Sequence, residues 1–210
     1  MGTLEALSLA LGAAWTSGIN LYATVGVLGI AGRMELIQLP ASLDVLMHPG
    51  VIAVACLMYL IEFFADKVPY VDSGWDALHT FIRIPAGAVL AAASLGELSP
   101  ALEFMAILAG GAVAASAHSV KAATRLAINT SPEPFTNWGA SVAEDLTVLG
   151  VLWLIFNHPL VLIVLLLVFL AVVVWVMPKL LRLARRGFQA LRDRLSGIKP
   201  DRLARTESVP

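Results

Sequence analysis

The residues of this chain best suited to chemistry are concentrated in residues 62–85, EFFADKVPYVDSGWDALHTFIRIP. Glu62 and Asp66 are one helical turn apart, so a helix would direct both carboxylates toward the same neighbour. Spacings of four, three and four then place the next ionisable residues on one helical stripe: Asp72, Asp76, His79 and Arg83. Carboxylates and imidazoles in such a stripe suit the movement of protons or cations, because imidazole titrates near neutral pH.

This ionisable block lies between strongly apolar segments. The chain has 210 residues, of which 59% are hydrophobic, and its mean hydropathy is +0.83. Residues 159–177 include no ionisable side chain and are long enough to cross a hydrocarbon core about 30 Å thick. Because an ionisable side chain near the centre of that core costs about 2.5 to 3.5 kcal/mol, the sequence predicts a membrane protein with a polar interior.

The apolar segments and the prolines between them predict an all-α polytopic membrane bundle of about six transmembrane helices. The predicted spans cover residues 4–32, 49–66, 73–95, 101–128, 138–156 and 159–180. Asp72 and Ser73 are predicted to cap the third span. The spans also divide into two halves of three, which would be inverted repeats. Chance similarity between apolar helices explains the faint likeness of the halves equally well.

Basic residues are concentrated at the C-terminal end, where nine of the fourteen Lys and Arg residues lie at or after Lys179. Basic residues beside a span favour the cytoplasmic side and attract anionic headgroups. We therefore expect a multi-pass protein of the cell inner membrane with a cytoplasmic C-terminus. An integral membrane domain is predicted at residues 1–180. A basic tail is predicted at residues 181–210, first an amphipathic helix and then disordered.

Other spans carry polar residues that would face the same interior. Ser17 and Asn20 share a face of the first span, where small residues permit close helix approach. Glu144 and Asp145 are adjacent in the fifth span and point about 100° apart, so they cannot face one partner equally. If the C-terminus is cytoplasmic, most of the charged residues lie in the cytoplasmic half of the membrane and can reach one another. The candidates for a substrate or ion pathway are Ser17, Asn20, Glu62, Asp66, Asp72, Asp76, His79, Arg83, His118, Lys121, Arg125, Glu144 and Asp145.

Three functions are compatible with these residues. The favoured hypothesis is a transporter or channel-like protein with a charged cavity open to the cytoplasm, coupled to protons or ions. The second is a structural or assembly protein whose internal acids and bases neutralise one another. The third is a membrane enzyme acting on a lipid phosphate, with a divalent metal on Glu62, Asp72, Asp76 and His79. No P-loop, nucleophile elbow or HExxH motif occurs, so no catalytic residue and no cofactor are predicted.

The expected partners follow from the same features. They are the lipid bilayer, anionic lipids at the basic tail and an unidentified small solute or ion; nucleic acid is not expected, since the tail suits a membrane surface. Small-residue faces on the first and fourth spans would also allow an oligomer. Cys56 is the single cysteine and lies in an apolar run, so we expect a small core residue and no intrachain disulfide.

The block at residues 62–85, with SGINLY at 17–22 and AED at 143–145, resembles a family of bacterial integral membrane proteins, domain of unknown function 4126. The resemblance covers about residues 4–180. It implies an integral membrane domain and supports the helical architecture. It implies no reaction and no substrate.

Overall fold

A computed structural model describes residues 1–129 and 134–195. Within these ranges the chain is helical and has no strand, so the predicted all-α bundle is confirmed. In the described ranges, six α-helices and one short 3-10 helix follow one another. They are α1 Thr3–Arg33, the 3-10 helix Ala41–Met47, α2 Pro49–Ala65, α3 Pro69–Ser94, α4 Pro100–Asn129, α5 Pro134–Asn157 and α6 Pro159–Leu195.

Several of the described helices are long and apolar enough to cross a membrane. Four qualify alone, namely most of α3, all of α4, most of α5 and the Pro159–Lys179 part of α6. The 3-10 helix and α2 meet at an angle of 64° and qualify together as a broken span, which makes five. The protein is therefore a membrane-embedded helical bundle. Helix α1 is interrupted and is not among these five, so a sixth crossing stays a prediction.

Proline sets where the helices begin, since each of the helices α2 to α6 starts with one. Proline is favoured at the first helical position, where its missing N–H would have no helical partner. Helix α3 begins at Pro69, four residues before the predicted start. The expectation that Asp72 and Ser73 cap this helix was therefore wrong: Val68 is the capping residue, and Asp72 lies in the first turn.

Helix α1 is the centre of the bundle and packs against α2, α3, α4 and α5. Small residues let three helices approach closely. A Cβ atom added to Gly18 would overlap the carbonyl oxygen of Ala114, and one added to Gly87 would lie 2.5 Å from the Ala114 Cβ and 2.7 Å from the Ser17 Oγ. The close approach predicted for the small residues of the first and fourth spans therefore occurs between helices of the same chain.

Helix α6 covers one side of this bundle. Its Leu162 and Leu166 are buried with Ile155 of α5, and the rings of Trp15 and Phe169 meet edge to face with centroids 5.5 Å apart. Only 11% of its apolar segment is buried within the protein, which agrees with the predicted lipid-facing span. Residues from Ala171 onward form a separate unit.

The helix continues to Leu195 in that unit, so the first part of the predicted tail is helical. The Lys179 ammonium group lies 3.0 Å from the centroid of the Trp175 ring. The disorder predicted for the end of the tail falls on residues 196–210, outside the described residues.

Candidate functional site

Helix α1 is interrupted at Asn20, whose backbone is extended with φ −146° and ψ 97°. The Ala23 N–H donates to the Asn20 side-chain oxygen at 2.9 Å, so Asn20 caps the second half of the helix. In a continuous helix that N–H would bond to the Ile19 carbonyl. The Ile19 carbonyl oxygen instead accepts from the Lys121 ammonium group at 3.1 Å. A side chain of α4 therefore satisfies the backbone group that the break leaves free.

The Lys121 ammonium group is also the centre of an ionic cluster. The Lys121 side chain is 1% exposed, and its ammonium group lies within 4 Å of carboxylates from four residues. The distances from Nζ are 3.3 Å to Glu62, 3.4 Å to Glu144, and 3.7 Å each to Asp66 and Asp76. These carboxylates belong to α2 and its C-terminal cap, to α3 and to α5. Lys121 therefore connects three helices to the break in α1.

Arg83 binds two carboxylates deep in the bundle. Its Nη2 is 2.5 Å from Glu62 Oε1, and its Nη1 is 2.8 Å from Asp76 Oδ1. Both the Arg83 and the Glu62 side chains have no exposed area. Asp76 and Arg83 are seven residues apart, about two turns of α3, which is why the stripe predicted from spacing brings them together.

Arg125 binds carboxylates at the other side of Lys121. Its Nε and Nη2 donate to the two carboxylate oxygens of Glu144 at 2.9 Å and 2.8 Å, a bidentate pair of the stronger kind. Its Nη2 also lies 3.1 Å from Asp66 Oδ2, and its Nε 3.9 Å from Asp72 Oδ1. Asn129, one turn further along α4, donates to Asp72 Oδ2 at 2.7 Å.

The ionic cluster is defined here by the members of these ion pairs within 4 Å. It consists of the carboxylates Glu62, Asp66, Asp72, Asp76 and Glu144 with the cations Arg83, Lys121 and Arg125. Five carboxylates for three cations leave two surplus negative charges if all are ionised. Among the described residues, one oxygen of each carboxylate except Glu144 has no hydrogen-bond partner. An uncompensated charge at this depth costs several kcal/mol, so the cluster has capacity for protons or a cation.

The two predicted histidines lie beside the cluster. His79 Nδ1 is 2.8 Å from the Trp75 carbonyl oxygen and therefore donates to it, and its Nε2 is 2.9 Å from the Tyr22 hydroxyl. The His79 and Trp75 rings are stacked with centroids 4.4 Å apart. His118 Nε2 is 2.7 Å from the Thr80 hydroxyl. Each imidazole is therefore hydrogen-bonded to a hydroxyl group beside the ionic cluster, His79 to Tyr22 and His118 to Thr80.

A second polar site lies on the adjacent face of α5. Asp145 accepts from the Tyr59 hydroxyl at 3.0 Å and from the Asn20 amide at 3.2 Å. It lines a cavity of about 440 Å³ between α1, α2 and α5. We call this cavity the groove; it is lined mainly by apolar side chains, and its polar lining residues include Tyr22, Tyr59 and Asp145. Cys56 also lines it and is exposed, so the expectation of a core cysteine was wrong.

All thirteen predicted pathway residues are buried or half-buried. The ionic cluster contains eight of them, and His118 lies 3.4 Å from Arg83 Nη1. Ser17 bonds to the Ala14 carbonyl and contacts the Arg83 carbonyl at 3.5 Å. The arrangement differs from the predicted open cavity, because these charged side chains fill the space between helices and bind one another.

The residues predicted from the sequence did not include two participants, Asn129 and Tyr59, although their spacing was a usable signal. Asn129 continues the α4 stripe one turn beyond Arg125, and Tyr59 lies on the face of Glu62, one turn before it on α2. Nothing in the spacing pointed to Tyr22 as the partner of His79. Lys67 stays outside the ionic cluster: it donates to the Phe63 carbonyl at 2.8 Å, and burial lowers the pKa of its ammonium group against the attraction of Asp66.

These features define a class of protein: a membrane-embedded helical bundle with a broken central helix and a buried ionic cluster. A family model described as domain of unknown function (DUF4126) matches residues 7–179. The chain belongs to this family, which confirms the resemblance seen in the sequence. No curated protein and no solved structure matches the chain.

The pairing of Arg83 predicts a large effect of its removal. Arg83→Met leaves Glu62 and Asp76 without their nearest cation, and breaking a buried pair from one side costs about 3 to 5 kcal/mol. We expect a strongly lowered unfolding temperature in lipid nanodiscs, partly restored in the double variant Glu62→Gln/Arg83→Met. Arg33→Met is the matched control, since Arg33 is exposed. Equal unfolding temperatures for Arg83→Met and Arg33→Met would contradict the pairing.

Proposed function

We propose that this protein is a small transporter or channel-like membrane protein in which the ionic cluster moves protons or small cations. The observation that carries the proposal is the surplus of buried carboxylates beside the break in α1. Broken helices form ion sites in transporters because irregular backbone is tolerated at membrane depth only where protein or a wet cavity satisfies it. The break at Asn20 and the carboxylates around Lys121 support the proposal by this analogy.

Lys121 would act as the exchangeable charge of the site. A lysine ammonium group is a compact point charge on a flexible stem, so it can leave its partners more easily than a bidentate arginine. Its withdrawal would free the Ile19 carbonyl and the carboxylates that face it. These are hard oxygen ligands, which suit protons and small cations. Among the described residues no three His, Cys, Asp or Glu side chains are placed around a common metal position, and Lys121 occupies the centre.

Entry to the cluster would be at Glu144. Its side chain is 16% exposed, whereas the other four carboxylate side chains are 0% to 5% exposed. Glu144 contacts both Lys121 and Arg125, so a proton or cation arriving there would weaken both pairs at once. The neighbouring Glu62 and Asp76 would then receive the charge through Lys121 and Arg83.

A structural or assembly role is the second candidate. It is favoured by the nearly complete burial of Glu62, Arg83 and Lys121, whose charges are closed in mutual pairs. In that role the pairs would fix helix register and the cluster would never open. The two functions differ in whether any charge crosses the membrane.

A flux measurement separates these candidates. Purified protein in proteoliposomes with a trapped pH-sensitive dye should dissipate an imposed proton gradient or exchange it for a small cation. Glu62→Gln keeps the shape of the side chain and removes a charge that faces Lys121 and Arg83. We expect it to lower the flux at least tenfold, while the variant remains monodisperse.

Glu103→Gln is the matched control, because Glu103 is exposed in the first turn of α4. It should leave the flux unchanged. Flux by the wild-type protein no higher than that of empty liposomes, for protons and for sodium or potassium ions, would support the structural role instead.

We also propose that the protein is in the inner membrane with its C-terminus in the cytoplasm, where residues 181–210 contact anionic lipids. The supporting feature is the cluster of basic residues at and after Lys179. A green fluorescent protein fused after the last residue should fluoresce, and alkaline phosphatase at the same place should be inactive. The opposite pair of results would reverse the topology.

A further inference from the structure

We propose that the groove between α1, α2 and α5 is a binding site for an organic cation with an apolar body, whose charged group lies at Asp145. The inference goes beyond the movement of protons or small ions by the ionic cluster. It concerns a different part of the molecule and a different class of ligand. A binding measurement therefore tests it, and the result does not depend on whether the ionic cluster moves ions.

The first support is the charge of Asp145. Among the described residues it has no cationic side chain within 4 Å, unlike each carboxylate of the ionic cluster. It is half-buried, and its two described partners, Tyr59 and Asn20, are neutral. A carboxylate offers about four acceptor positions, so these two bonds leave room for a further donor. A cation in the groove would supply the missing compensation.

The second support is the shape and chemistry of the groove. Its volume of about 440 Å³ lies in the range of small-molecule sites, about 300 to 1,000 Å³. Asp145 is the one charged residue among the described residues that line the groove, so an anion would meet repulsion there. Tyr59, which donates to Asp145, and Tyr22 also line the groove, and aromatic rings attract organic cations. Val27, Ile30 and Leu149 line the rest and suit an apolar body.

Cys56 provides a direct readout of occupancy. It is the single cysteine of the chain, it is exposed, and it lines the groove. A ligand lying in the groove should slow the alkylation of its thiol by N-ethylmaleimide. The reaction can be followed by intact-protein mass spectrometry on the wild-type protein in nanodiscs, without introducing any label.

The test compares tetraphenylphosphonium with tetraphenylborate, two ions of nearly the same size and shape and of opposite charge. We expect tetraphenylphosphonium to slow Cys56 alkylation at least fivefold at saturation, and tetraphenylborate to have little effect. Asp145→Asn should raise the half-protecting concentration at least tenfold, because it removes the charge and keeps the shape. Glu103→Gln, an equal change of net charge on an exposed residue, should not alter it.

A second variant covers the case in which Asp145→Asn does not fold. Leu149→Trp fills the groove from a side chain that is 48% exposed, and should abolish protection by the cation. Equal protection by both ions, unaffected by Asp145→Asn, would mean that the groove holds any apolar body, such as a lipid acyl chain. That result, or no protection by either ion, would overturn the proposed cation site. Neither result would affect the proton flux expected of Glu62 and Lys121.

Discussion

The contact between the Lys121 ammonium group and the Ile19 carbonyl oxygen is the interaction on which the rest of the interior depends. Ile19 and Asn20 are buried, and a buried backbone group without a hydrogen-bond partner is costly. Here the partner carries a positive charge, and that charge in turn needs carboxylates around it. The break in α1 and the ionic cluster therefore stabilise each other, and either one alone would be costly.

Asn20 links the ionic cluster to the groove. Its side-chain oxygen caps the second half of α1, and its amide donates to Asp145, which lines the groove. The break thus presents a freed carbonyl to Lys121 on one side and an amide to Asp145 on the other. A rearrangement at Asn20 would change the hydrogen bonds of both Lys121 and Asp145. The adjacent Glu144 and Asp145 divide in the same way, one toward the cluster and one toward the groove.

Much of this interior follows from spacing alone. Helical periodicity fixes the direction of a side chain relative to its neighbours. The stripe containing Asp76 and Arg83 and the divergent directions of Glu144 and Asp145 were therefore predictable. Spacing does not fix which helix faces which, so the partner of each carboxylate was not predictable. The placement of Asn20 at a break depends on a tertiary partner, Lys121, that lies a hundred residues away. Cys56 was expected in the core because its neighbours in sequence are apolar. Apolar neighbours are equally compatible with a residue that lines an exposed groove.

Infrared spectroscopy of the carboxyl groups in the lipid-reconstituted protein tests the balance of charge around Lys121 most directly. Lys121→Met removes the ammonium group that faces Glu62, Asp66, Asp76 and Glu144. If that group stabilises the ionised forms of these four carboxylates, the variant should show more protonated-carboxyl absorption at neutral pH than the wild type, and the added band should shift in heavy water. A folded Lys121→Met protein whose carboxyl absorption equals that of the wild type would show that Lys121 does not balance these acids.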